Sequence, residues 1–146
     1  MKGKRIVVDS NILVKWFIPE DYHEEAKALL EDHLYGRVEV VIPRYAVFEF
    51  ANVLRKYRVR GIIGERDMRE AFDLLAESAP VMIEENEELV RKALDYSLER
   101  GLTVYDAYYM VLARELGAIL YTADERVVRQ LVGEESSLKH ISEYVD

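Results

Sequence analysis

The chain has no cysteine, so neither disulfides nor a thiolate metal site can form, and an intracellular home fits. It carries only three prolines and seven glycines, and no Gly/Pro-rich or low-complexity stretch divides it. Asparagine is confined to Asn11, Asn52 and Asn86, and glutamine to Gln130. That scarcity, beside abundant Glu and Arg, resembles a thermophile's composition. No apolar run approaches membrane-spanning length, and the one after Met1-Lys-Gly-Lys-Arg5 is too short for a signal-peptide core. A soluble, cytoplasmic protein without membrane association is expected. Basic charge is in deficit, 20 Lys and Arg against 28 Asp and Glu, giving a net charge of −8. That balance argues against broad, non-specific nucleic-acid binding, but acids neutralised by bound metal leave room for a nuclease.

What is present is enough for one domain, residues 1–146, since 50% of the 146 residues are hydrophobic. Strand and helix patterns alternate, which predicts an α/β fold, a three-layer α/β/α sandwich around a mostly parallel sheet of four to five strands. Lys4 to Asp9 reads as the first strand and Asn11 to Ile18 as a short helix stopped by Pro19. Asp21 to Tyr35 reads as a second helix, with Ala26, Leu29, Leu30 and Leu34 on its buried stripe. Val38 to Ile42 reads as a strand covered on both faces, and Pro43 as standing near the start of a long helix that ends at Gly61. A helix over Glu65–Glu77, a strand over Val81–Glu84 and an Asn86-capped helix to Arg100 follow. A helix from Thr103 or Val104 to Gly117, a strand over Ala118–Thr122, a helix over Asp124–Val132 and an edge strand over Leu138–Ile141 complete the expectation.

Four acids stand where this order of elements would bring them together. Asp9 ends the first strand, Glu49 interrupts the apolar helix Tyr45-Ala-Val-Phe-Glu49-Phe-Ala, Asp106 opens a helix, and Asp124 follows a late strand. In parallel α/β folds the ligand site lies at the carboxyl ends of the strands, where Asp9 and Asp124 both fall. Each acid also has a plain structural explanation. Asp9 suits a helix N-cap, Asp106 suits a capping box with Thr103 or the positive end of its helix dipole, and Asp124 likewise lies in a helix's first turn. Glu49 is harder to explain so, because Ala46, Val47, Phe48, Phe50, Ala51, Val53 and Leu54 leave it almost no solvated face. Four ionised carboxylates in one pocket need positive charge between them, and a metal held by oxygen ligands points to phosphodiester chemistry.

The segments around these acids resemble the PIN-domain ribonucleases, particularly the VapC-type toxins of toxin–antitoxin pairs. Val7-Val-Asp9-Ser-Asn11-Ile-Leu-Val-Lys-Trp-Phe17 is similar to the opening motif and Pro43-Arg-Tyr-Ala-Val-Phe-Glu49-Phe-Ala-Asn-Val-Leu54 to the second. Thr103-Val-Tyr-Asp106-Ala-Tyr-Tyr-Met-Val-Leu-Ala113 resembles the third and Leu120-Tyr-Thr-Ala-Asp124 the fourth. Any one of these motifs is weak, and the four in order are specific. The resemblance implies an Mg²⁺- or Mn²⁺-dependent endoribonuclease in which Asp9, Glu49, Asp106 and Asp124 hold the metal, Asp9 and Asp106 most closely. It further implies support from Asn11 and Thr122, a cognate antitoxin and a homodimer.

Arg55-Lys-Tyr-Arg58-Val-Arg60 is the most basic segment, and Arg55 is a candidate guide for the RNA backbone beside the plainer reading of charge at a helix C-terminus. Arg44 and Lys15 are further candidates. Tyr108, Tyr109 and Tyr121 read as core, and His23, His33 and His140 as solvated. The helix Ile12-Leu-Val-Lys-Trp16-Phe17 carries enough apolar surface to face a partner. Two other readings share these acids: a PIN-type RNA-processing nuclease without a toxin role, and a non-catalytic scaffold whose acids only cap helices. A haloacid-dehalogenase-type phosphatase wants a second Asp where this chain has Asn11.

Overall fold

The computed structural model of the chain describes residues 3–131, 133–134 and 136–144. β1 (Lys4–Val8) leads into α1 (Ser10–Phe17) and α2 (His23–Leu34), then β2 (Val38–Pro43), α3 (Tyr45–Val59) and α4 (Glu65–Ser78). β3 (Val81–Ile83), α5 (Glu87–Arg100), α6 (Val104–Leu116), β4 (Ile119–Thr122), α7 (Glu125–Gln130) and β5 (Leu138–His140) follow, with a 3-10 turn over Ile141–Glu143. The sheet has five strands in the order β3-β2-β1-β4-β5, and every pairing is parallel. This is the expected three-layer sandwich. Among the described residues no helix is long and apolar enough to cross a membrane.

The central strands are runs of buried β-branched residues. Ile6, Val7 and Val8 of β1 and Val40, Val41 and Ile42 of β2 are buried at consecutive positions, so both sheet faces are covered. One cover is α6, which packs against β1, β2 and β4. Its seven residues from Ala107 to Ala113 are all buried, as in a helix enclosed on every side. Truncating fully buried Met110 or Leu112 to Ala would cost about 2–5 kcal/mol. Gly117, at φ 62°, ends α6 in the left-handed conformation that turns the chain directly into β4.

Several expectations are corrected. Pro43 closes β2, paired with Ile83, rather than entering the helix; at that last position its missing N–H costs the ladder nothing, and α3 starts at Tyr45. The second helix starts at His23, because Tyr22 is left-handed at φ 66° and stacks its ring edge-on against His140, centroids 4.8 Å apart. α1 does not present its apolar face to a partner: Ile12, Leu13, Val14 and Trp16 are buried where α2, α3 and α4 pack on it. His33 is not solvated. It lies half-buried between the Val40 N–H and the Ser78 carbonyl, at 3.1 and 3.0 Å, tying α2 to β2 and to the end of α4. Phe48, expected within the apolar surroundings of Glu49, is 82% exposed, since α3 buries only the stripe of Ala46, Phe50 and Leu54. The last helix closes at Gln130, and Val132, to which it was expected to run, lies outside the described residues. Tyr108, Tyr109 and Tyr121 are buried as expected.

Candidate active site

From β1 the chain first builds outward to β2 and β3, then returns to the opposite side of β1 to lay down β4 and β5. The switch point therefore lies between β1 and β4, at whose carboxyl ends parallel α/β folds place their ligand sites. The register pairs Val8 with Tyr121, so the next residues along, Asp9 and Thr122, meet at the carboxyl ends of these strands.

Asp9 is the N-cap of α1. Its Oδ1 accepts from the Ile12 N–H at 3.3 Å, and its Oδ2 accepts from the Thr122 hydroxyl at 2.5 Å. It is 7% exposed, and Thr122 is fully buried. Burial raises the Asp9 carboxyl from the usual range to about 7, against those two hydrogen bonds, with the charges of Asp106 and Asp124 adding to the rise. Thr122 in turn accepts the Asp124 N–H at 3.0 Å, so one hydroxyl links the first and fourth acids.

Asp124 caps α7. Its Oδ1 accepts the Arg126 and Val127 N–H groups at 2.9 and 3.4 Å, while Oδ2 lies 3.6 Å from the Arg126 guanidinium. Asp106 sits in the first turn of α6, its own N–H held by Thr103 at 3.1 Å. Glu49, on α3, accepts the Tyr109 hydroxyl at 2.7 Å. Burial raises the Glu49 carboxyl, the Tyr109 bond opposes this, the Asp106 charge adds to it, and a Ser10 hydrogen bond again opposes it. Asp9 thus feels the charges of Asp106 and Asp124, and Glu49 feels that of Asp106. Asp9 and Asp124 cap their helices with their side chains, and Asp106 stands in the first turn of α6 with its backbone N–H on the Thr103 hydroxyl, so the capping readings of Asp9 and Asp124 hold.

Arg126 was not singled out by the sequence. Its Nη2 donates to Asp106 Oδ2 at 2.9 Å and lies 3.6 Å from Asp124 Oδ2. Those acids, Asp106 first, raise the guanidinium above its ordinary range. The available signal is a cation in the first turn of a helix, where the dipole disfavours it. Tyr109 was read only as core; lying three residues after Asp106, it shares that acid's helix face.

The supporting candidates fare unevenly. Thr122 is central. Asn11 is exposed on the first turn of α1. Arg55 is exposed on α3, and six residues of helix turn it about 120° from Glu49. Lys15 is engaged with Glu20 at 3.1 Å, and Arg44 borders a groove with Phe48 and Met82.

The donor set is all carboxylate and hydroxyl oxygen, the chemistry of Mg²⁺ or Mn²⁺ sites. The excess of negative charge, relieved here by an arginine, also fits a cation. Among the described residues no three acids stand close enough to form a ligand set as placed. A hard cation that keeps several of its waters suits such spacing.

Fold and site together define a parallel α/β protein with an acidic centre at the switch point of its sheet. The PIN domain family model matches residues 6–131, and the chain belongs to that family. Ribonuclease VapC3 of Pyrobaculum aerophilum is 28% identical over 127 residues, 86% of this chain and 94% of that protein. The crystal structure of PAE2754 from Pyrobaculum aerophilum superposes with a TM-score of 0.71 at 21% identity, over 95% of this chain and 85% of its own. A toxin-antitoxin complex from Klebsiella pneumoniae gives 0.66 at 18% identity, over 93% of this chain and 97% of the matched one. At those two identities the likeness is one of fold.

Proposed function

We propose that this chain is a metal-dependent endoribonuclease acting as the toxin of a toxin–antitoxin pair. What supports this reading is that the charges of Asp106 and Asp124 act on Asp9, that of Asp106 acts on Glu49, and one arginine, Arg126, lies against both Asp106 and Asp124. Its likeness to a ribonuclease over nearly the whole length of both chains supports the substrate class. A toxin-antitoxin complex among the structural neighbours supports the partner, and a homodimer is the expected assembly.

Asp9, Asp106, Glu49 and Asp124 would hold Mg²⁺ or Mn²⁺. When bound, such an ion supplies electrostatic stabilisation of charge on the phosphodiester and makes water a competent nucleophile at neutral pH. The chain's own part is preorganisation. Ile12 and Thr122 fix both oxygens of Asp9, Tyr109 aims Glu49, and the start of α7 fixes Asp124. The raised Asp9 and Glu49 carboxyls are those whose ionised forms gain most from a nearby cation.

The test is cleavage of RNA by wild type and Asp106→Asn with Mg²⁺, Mn²⁺ or EDTA. Cleavage that requires metal and is lost in the variant is expected. Equal cleavage by both proteins in every condition would sink the reading.

A further inference from the structure

The cation that this structure does place among the acids belongs to the chain itself. One guanidinium nitrogen of Arg126 lies between Asp106 Oδ2, at 2.9 Å, and Asp124 Oδ2, at 3.6 Å. We propose that Arg126 is a resident counter-cation that holds these two acids in the metal-free protein and is displaced when a divalent cation binds. The proposal rests on the metal-dependent reading above and adds the residue against which the metal must compete.

The argument is one of available lone pairs. Asp124 Oδ1 is committed to the backbone N–H groups of Arg126 and Val127. Anything else that binds Asp124 must take Oδ2, the oxygen beside the Arg126 side chain. Residue 126 thus fixes one oxygen of Asp124 through its backbone and faces the other with its guanidinium. A divalent cation held by that oxygen would be repelled by the guanidinium nitrogen 3.6 Å from it.

The arginine is built to leave. Its side chain is 46% exposed, against 25% for Asp106 and 27% for Asp124, so it can swing to solvent while the acids stay. Exposed ion pairs contribute little, about 0–1 kcal/mol, which a divalent cation can exceed. Nor does the helix retain it, since a first-turn cation opposes the dipole.

Mn²⁺ calorimetry on wild type, Arg126→Ala and Arg126→Lys tests this. Removing the competitor should tighten Mn²⁺ binding roughly two- to fivefold in Arg126→Ala, with Arg126→Lys nearer to wild type. Metal-free Arg126→Ala should also melt below wild type, because two acids lose their counter-charge. A second readout needs no variant: on Mg²⁺ addition the Arg126 Nε–Hε NMR signal of wild type should move toward that of free arginine. Metal binding of unchanged or weaker affinity in Arg126→Ala, or an Nε–Hε signal unmoved at saturating Mg²⁺, overturns the proposal alone. No metal binding by any of the three proteins overturns the metal-dependent reading together with it.

Discussion

Thr122 donates its hydroxyl to the Asp9 carboxylate while accepting the backbone N–H of Asp124 at 3.0 Å. Because one lone pair receives the N–H, the hydroxyl proton is directed at Asp9. Thr122→Val keeps the shape but strands a buried carboxylate oxygen and a backbone N–H. It should destabilise the fold by about 1–3 kcal/mol in urea unfolding, while Thr122→Ser, which keeps the hydroxyl, loses under 1 kcal/mol. Equal stability of the Val and Ser variants would show that the link carries no energy.

The metal-free protein should be least stable at high pH, relative to a variant without the buried acid. The Asp9 carboxyl is raised from 3.8 to about 7, so the folded state holds this proton more tightly than the unfolded chain. The resulting penalty is absent below about pH 4, grows as pH rises and is complete above about pH 7, with an upper bound of roughly 4 kcal/mol. Glu49 is shifted in the same direction. In EDTA, the melting temperature of wild type minus that of Asp9→Asn should fall between pH 5 and pH 8, and Mg²⁺ should flatten the fall. A difference independent of pH would remove Asp9 as the source.

Tyr109 separates orientation of an acid from its presence. Its hydroxyl is the donor to Glu49, while its buried ring belongs to the core. Tyr109→Phe keeps the ring and removes the donor, at about 1 kcal/mol. RNA cleavage should slow roughly fivefold, with unfolding shifted by no more than that energy. A variant as fast as wild type would mean that Glu49 needs no orienting partner.

Three of the acids stood out because each interrupts a pattern: Asp9 and Asp124 end apolar runs, and Glu49 stands inside one. Strand runs such as Ile6-Val-Val8 and glycine-terminated helices made the layers legible too. What pattern does not contain is the number of neighbours an element acquires. The apolar α1 looked like a surface awaiting a partner because its sequence does not show that α2, α3 and α4 all cover it. His33 looked solvated because its acceptor and donor, Ser78 and Val40, come from α4 and β2. Arg126 was not singled out because its meaning depends on Asp106, which α6 carries to it.

Asp124 holds two duties that substitution can separate. Its Oδ1 caps α7 and its Oδ2, beside the Arg126 guanidinium, is the oxygen left for the proposed metal. Asn is as good a cap as Asp but carries no charge, whereas Ala provides neither. Asp124→Asn should therefore keep the wild-type unfolding midpoint within about 0.5 kcal/mol while Mn²⁺ affinity falls. Asp124→Ala should lose affinity to the same degree and stability by a further 0.5–2 kcal/mol or so. The expected pattern is two variants matched in calorimetry and separated in urea. If Asp124→Asn bound Mn²⁺ as tightly as wild type, Asp124 would be a cap alone, and the acids that hold the metal would be reduced to Asp9, Glu49 and Asp106.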